Sequence, residues 1–63
     1  MNKRELREVL MALLEDATYE EGSVLEDAQV YSYEEAGLLT RDEGLVLKLA
    51  NGNEFQITIV QSK

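Results

Sequence analysis

The fold of this 63-residue chain is decided by residues 45–60, which read Leu45-Val46-Leu47-Lys48-Leu49-Ala50-Asn51-Gly52-Asn53-Glu54-Phe55-Gln56-Ile57-Thr58-Ile59-Val60. Apolar side chains alternate with others on both sides of the Asn51-Gly52 pair. Because successive side chains of a β-strand point to opposite faces, this alternation is typical of two strands with one apolar face. The stretch therefore predicts a C-terminal β-hairpin.

The length of the hairpin loop follows from the register that keeps the apolar face together. A two-residue Asn51-Gly52 turn would place leucines opposite Glu54 and Gln56, so we exclude it. A three-residue loop with Gly52 in the left-handed region pairs Leu47 with Phe55 instead, and a four-residue loop keeps the same parity. The apolar face then comprises Leu45, Leu47, Phe55, Ile57 and Ile59, and Lys48 lies opposite Glu54 on the other face.

The first part of the chain predicts an amphipathic helix. Its apolar stripe follows the i, i+3, i+4, i+7 spacing and consists of Leu6, Val9, Leu10, Leu13, Leu14 and Ala17. Asn2 is the expected N-cap, and Glu5 completes a capping box. Gly22 ends the helix at the latest.

The middle of the chain predicts one strand and one turn. Residues 28–32 contain strand-forming side chains, and Ser32 with Glu35 forms a second capping box that opens a single helical turn closed by Gly37. We expect Leu38-Leu39 to lie in the core. The whole chain, 1–63, is thus predicted to be one α+β domain, with an N-terminal helix packed on an antiparallel sheet of about three strands. We expect the helix leucines to pack against the apolar face of the hairpin, Leu45, Leu47, Phe55, Ile57 and Ile59.

Charge is concentrated in one part of the sequence. The formal net charge is −7, and ten of the thirteen acidic residues lie between residues 15 and 43, where only Arg41 opposes them. They form five doublets: Glu15-Asp16, Glu20-Glu21, Glu26-Asp27, Glu34-Glu35 and Asp42-Glu43. Clustered like charges destabilise a small domain by self-repulsion, so the pattern suggests a basic partner.

The charges on the predicted helix oppose its dipole. Lys3, Arg4 and Arg7 lie near the positive N-terminus, while Glu15 and Asp16 lie near the negative C-terminus. Each such charge costs about 0.3–1 kcal/mol when exposed at low salt. When several charges of one helix are all placed unfavourably for its dipole, that region often has a function.

Most enzymatic and metal chemistry is excluded by the composition. The chain has neither histidine nor cysteine, which removes the usual bases, nucleophiles, transition-metal ligands and disulfides. The glycines are scattered singly, and the acidic residues lack the alternating pattern of a calcium loop. We therefore predict a protein that is not an enzyme and has no metal or cofactor.

The sequence also indicates where the protein is located and whether it binds nucleic acids or membranes directly. No apolar run approaches the ~20 residues of a membrane span, and Glu5, Arg7 and Glu8 interrupt any signal-like segment. We expect a soluble, cytoplasmic protein. Its acidity argues against direct binding to nucleic acid or to an anionic membrane, since both would repel it.

Two interpretations of the doublets remain. They form either a solvated face that maintains solubility or an interaction surface for a basic groove that normally holds nucleic acid. If the helix continues to Gly22, two successive doublets lie about 7.5 Å apart along its axis, which suits a row of basic side chains. The predicted binding residues are Glu15, Asp16, Glu20, Glu21, Glu26, Asp27, Glu34, Glu35, Asp42, Glu43 and Tyr33.

Two segments of the sequence resemble parts of known small proteins. Residues 40–47, Thr40-Arg41-Asp42-Glu43-Gly44-Leu45-Val46-Leu47, and residues 52–57, Gly52-Asn53-Glu54-Phe55-Gln56-Ile57, look like the end of small proteins encoded by bacteriophages and mobile elements. In size and acidity the chain resembles the anti-CRISPR and anti-restriction proteins. That resemblance implies an inhibitor of a nuclease complex, several members of the class being DNA mimics.

These observations together predict a non-enzymatic inhibitor that binds a basic, nucleic-acid-binding protein surface, such as a Cas subunit, through residues 15–43. One alternative is a small assembly module that forms a homo-oligomer through the helix flank or an unpaired sheet edge. Another is an antidote that neutralises a basic toxin.

Overall fold

The computed structural model describes residues 1–63 and contains one helix and three strands. Helix α1 spans Lys3–Thr18, and the strands are β1 (Gln29–Ser32), β2 (Glu43–Lys48) and β3 (Glu54–Ile59). The strands form an antiparallel sheet in the order β1-β2-β3, and α1 packs on one face of it. The predicted α+β fold, with a helix on a three-stranded sheet that ends in a hairpin, is confirmed.

The hairpin has the register that the apolar pattern requires. Leu47 is paired with Phe55 and Leu45 with Ile57, and the Leu49 amide donates to the Asn53 carbonyl at 2.8 Å. Residues 50–52 form the three-residue loop, in which Gly52 has φ +95°. This left-handed backbone is readily adopted only by glycine, so the loop prediction is confirmed together with its physical reason.

The termini of α1 differ slightly from expectation. The Asn2 side chain accepts a hydrogen bond from the Glu5 amide at 2.9 Å, which confirms the N-cap. The Glu5 carboxylate makes no return bond to the Asn2 amide, so only half of that capping box forms. The helix ends at Thr18, before the glycine that was its latest possible end.

The core lies between α1 and the first two strands. Leu45 and Leu47 of β2 are buried together with Ala28, and Leu10 and Leu14 of the helix pack against them. A single helix is about 10 Å wide and strands are about 4.8 Å apart, so one helix covers two strands. Strand β3 is left at the margin.

The predicted contact of the helix leucines with the whole hairpin face is therefore only partly right. It is confirmed for Leu45 and Leu47, but it is wrong for Phe55 and Ile57, whose side chains are 51% and 38% exposed. The helix stripe is divided in the same way. Leu6, Val9 and Leu13 remain exposed beside the packed leucines.

The segment after β1 contains the predicted capping box. The Glu35 amide donates to Ser32 Oγ, and the Ser32 amide donates to Glu35 Oε1, both at 3.0 Å. Gly37 has φ +78°, and the Leu38 amide donates to the Tyr33 carbonyl at 3.0 Å, which closes the turn.

The prediction that Leu38-Leu39 lies in the core is wrong for Leu39, and Leu38 is not among the residues that pack against the core cluster. Leu38 is half-buried, whereas Leu39 is fully exposed. Adjacent side chains of non-helical backbone point in different directions, so only one of the two can face the protein.

Tyr31 of β1 and Tyr33, which directly follows the strand, lie on the face of the sheet opposite the helix. Val30 packs toward the helix, and its neighbour Tyr31 is registered with Val46 on the other side. Tyr33 is buried, and its hydroxyl shares a hydrogen bond with Thr58 Oγ1. Its ring lies against Gly44, where any β-carbon would collide with the ring and with the Ile57 carbonyl.

Candidate functional site

The five acidic doublets do not share one surface, because the fold sends them to two ends of the molecule. One doublet lies in the last turn of α1, and two lie in the turns that follow the helix. The other two lie near the N-terminus of α1, where Arg7 reaches Glu43. The 16 residues of α1 span about 24 Å and separate the two groups.

The first group forms a compact structure that we call the acidic cap, residues 15–27. After Thr18 the chain makes successive tight turns and folds back, so that the Asp27 amide donates to the Thr18 carbonyl at 3.2 Å. Gly22, at φ +83°, donates its amide to Glu26 Oε2 at 2.9 Å. Leu25 packs on the core and anchors the cap to the domain.

The acidic cap contains six carboxylates and no basic residue, for a formal charge of −6 out of the total of −7. All six carboxylates belong to exposed residues, and no ion pair forms among them. Lys48 lies at the same end of the sheet, but its ammonium group is 3.6 Å from Glu54 Oε1 and lies over the Tyr31 ring. The negative charge of the cap is therefore not neutralised within the protein.

The second group belongs to what we call the mixed-charge end, residues 3–7 and 34–43. Four basic and five acidic side chains give it a formal charge of −1. Arg7 Nη1 donates to Glu43 Oε1 at 2.6 Å, and Arg4 Nε lies 3.7 Å from Glu43 Oε2. The Arg7 and Glu43 side chains are only 12% and 20% exposed, so this ion pair is part of the structure.

Two carboxylates at the mixed-charge end thus have internal partners. Glu43 holds the arginines of α1, and Glu35 closes the capping box with Ser32. The hydrogen bond from the Ser32 amide lowers the pKa of Glu35 below its usual value, and the Ser32 hydroxyl and the Arg7 charge act in the same direction. The two arginines near the N-terminus of α1, where the helix dipole disfavours them, are explained by their ion pairs with Glu43.

The structure sorts the predicted binding residues accordingly. The acidic cap brings together Glu15, Asp16, Glu20, Glu21, Glu26 and Asp27, whereas Glu34, Glu35, Asp42 and Glu43 lie at the mixed-charge end. Tyr33 has a packing role between Gly44 and Thr58. The spacing of about 7.5 Å assumed a helix through Gly22. Because α1 ends at Thr18, the acidic cap is a rounded cluster and not a straight row.

Two residues of the acidic cap were missed by the sequence prediction. Tyr19 and Val24 are 87% and 90% exposed among the carboxylates. The signal for Tyr19 was present, since it lies two positions after the last residue of the apolar stripe and so turns away from the core. Val24 had no signal of its own, because its exposure depends on the turns that follow the helix.

Several kinds of site find no support in the geometry. No group of three or more acidic side chains is arranged to hold a metal ion, and no helix has the length and hydrophobicity needed to cross a membrane. Arg4, Glu34, Arg41 and Asp42 line a surface depression at the mixed-charge end. Neither a protein-family model, nor a curated protein, nor a solved structure matches the chain.

Proposed function

We propose that the protein is a non-enzymatic inhibitor that docks its acidic cap on the basic, nucleic-acid-binding surface of a bacterial defence complex. The observation that carries this proposal is the absence of any basic partner for the six carboxylates of the cap. The choice of a defence complex as the partner rests on the resemblance of residues 40–47 and 52–57 to small proteins encoded by bacteriophages.

The placement of the cap charges supports an external role for them. Glu15 and Asp16 lie in the last turn of α1, where each negative charge costs about 0.3–1 kcal/mol. Of the six cap carboxylates, only Glu26 accepts a hydrogen bond within the protein. A basic partner would convert this unfavourable field into complementary contacts and accelerate association.

The exposed side chains of the cap supply the second requirement of an interface. Charge steers association, but affinity comes mainly from buried contact area around a few anchors. Tyr19 offers a large apolar ring with a hydroxyl group, and Val24 adds apolar surface beside it. We expect the tyrosine to be the anchor and the carboxylates to select a basic groove.

The test is capture of partners from a bacterial lysate on immobilised protein, with duplex DNA and salt as competitors. The cap variant Glu20→Lys/Glu21→Lys is compared with Glu34→Lys/Asp42→Lys, which introduces the same charge at the mixed-charge end. Neither pair makes a side-chain hydrogen bond or ion pair in the fold. We expect the cap variant to lose the captured protein and the other variant to retain most of it.

We expect three further results. Duplex DNA should displace the captured protein, binding should weaken steeply with salt, and the nuclease activity of the captured complex should fall when the inhibitor is added. Equal capture by the wild type and the cap variant would refute the proposal. Capture that DNA does not affect would also contradict it, because the partner would then not be held through its nucleic-acid groove.

A further inference from the structure

Strand β3 is an unprotected edge of the sheet. It pairs with β2 on one side only, and its sequence contains no proline and a single charged residue, Glu54. The Leu49 amide donates a hydrogen bond to the Asn53 carbonyl, so these two residues form a hydrogen-bonded pair. Hydrogen-bonded and non-hydrogen-bonded pairs alternate along an antiparallel hairpin, so Leu45 and Ile57 also form a hydrogen-bonded pair, and the residues of β3 on either side of Ile57 do not bond to β2. The amides of Gln56 and Thr58 therefore point outward. Natural proteins usually protect such edges with charges, prolines or bulges.

An apolar patch adjoins this edge on the helix side of the sheet. It is formed by Leu6, Val9 and Leu13 of α1 and by Phe55 and Ile57 of β3, whose exposed fractions run from 37% to 61%. Leu6 and Ile59 line one shallow groove, which shows that this flank of the helix faces β3. The five residues together expose about 400–500 Å², which is the size of the largest apolar patch on a typical monomer, and such a patch is often functional.

We propose that a second copy of the chain covers this patch by pairing its own β3 with β3 about a two-fold axis at Ile57. Gln56 of each copy then exchanges backbone hydrogen bonds with Thr58 of the other, and the sheet becomes six-stranded. Because the apolar residues of β3 are two apart and centred on Ile57, this register keeps them on the helix side in both copies. The patches of the two copies then form one continuous core.

The charge distribution fits this arrangement. Antiparallel pairing of the two β3 strands places the acidic cap of one copy at the end where the other copy has its mixed-charge end. The two caps therefore lie at opposite ends of the dimer, which reduces the repulsion between chains that each have a charge of −7. The patch itself contains no charged side chain, so a basic partner is drawn to the caps and not to this surface.

The experiment is a mass measurement by light scattering and sedimentation over a range of concentrations, in low and high salt. We expect a species of twice 7.1 kDa that persists at high salt, because its contacts are apolar. Gln56→Pro removes one outward amide without breaking a bond to β2, and Leu13→Lys places a charge in the patch. Both variants should have the monomer mass while keeping the circular dichroism of the wild type.

Ala12→Lys is the matched control, since Ala12 is exposed next to Leu13 but lies off the patch, and it should remain dimeric. A monomeric wild type at every concentration overturns the proposal. So does a dimer that survives either Gln56→Pro or Leu13→Lys, because the proposed interface needs both the strand edge and the patch. The effect of salt distinguishes the two interactions, because partner binding by the cap weakens as the salt concentration rises and the dimer does not.

Discussion

The two ends of α1 carry similar numbers of acidic residues, yet they differ in how those residues are used. At the mixed-charge end, Glu43 and Glu35 have partners in Arg7 and Ser32, so their charges stabilise the fold. In the acidic cap, five of the six carboxylates have no partner at all. Identical residue types thus serve structure at one end and remain available for binding at the other.

The difference shows that a count of charges along the sequence does not identify a binding surface. Arg4 and Arg7, near the N-terminus of α1, pair with the carboxylate of Glu43, which is far away in the sequence. The acidic residues at the C-terminus of α1 meet no base. Substitutions of the paired carboxylates Glu43 and Glu35 should therefore affect stability, and those in the acidic cap should mainly affect binding.

The largest effect is expected from Gly44→Ala near the mixed-charge end. The new β-carbon would lie 2.5 Å from the Tyr33 ring and collide with the Ile57 carbonyl, a backbone atom that cannot easily move. We expect a loss of about 3 kcal/mol in the free energy of unfolding, measured in urea. A domain of this size has only about 3–9 kcal/mol in total, so much of the protein should unfold.

The matched glycine in the acidic cap is Gly22, which has open space around it and φ +83°. Gly22→Ala introduces only the strain of a left-handed alanine, about 1–2 kcal/mol. Equal unfolding free energies for the two alanine variants would contradict the prediction, because the collision at Gly44 would then cost no more than the backbone strain at Gly22.

The next largest effect is expected from Glu43→Gln. The variant removes the close partner of the largely buried Arg7 guanidinium and leaves only the exposed Glu8 carboxylate, at 3.6 Å, as its counter-charge. Arg7 Nε already has no hydrogen-bond partner. We expect the unfolding free energy to fall by about 1–3 kcal/mol. Its neighbour Asp42, changed to Asn, is the control and should stay within about 0.5 kcal/mol of wild type.

Neutralising the acidic cap should have a smaller effect, of opposite sign. Glu15→Gln/Asp16→Asn removes two negative charges from the last turn of α1, where they oppose the helix dipole. We expect a gain of about 0.5–1 kcal/mol at low salt that disappears at high salt, measured by thermal unfolding. A loss of stability would mean that the cap charges have structural partners after all.

The smallest effect concerns acid stability and Glu35. Because its pKa is lowered in the fold, the ionised carboxylate contributes stability that is complete above the pKa of the unfolded chain and is lost as pH falls through the folded pKa. Glu35→Gln should therefore lose less stability than wild type on acidification. Glu34→Gln is the control, and it should follow wild type. Identical acid profiles for wild type and Glu35→Gln would contradict the role of the capping box.

Local sequence rules predicted the secondary structure well. Asn2, Ser32 with Glu35, and Gly52 act through bonds and backbone angles within a few residues, and each was read correctly. The register of β2 with β3 also followed from parity alone, because a slip by one residue would turn Phe55 to the other face. The prediction that Leu39 is buried was wrong because no local rule decides which of two adjacent leucines faces inward.

The sequence by itself thus determined the elements, the hairpin register and the total charge, since these depend on neighbours along the chain. Only the tertiary structure decided which charges are neutralised and which apolar residues are covered. Both depend on where α1 lies over the sheet, which brings Arg7 to Glu43 and leaves β3 uncovered. The same placement isolates the acidic cap at the far end of the helix, where Lys48 pairs with Glu54 and no basic side chain pairs with the cap.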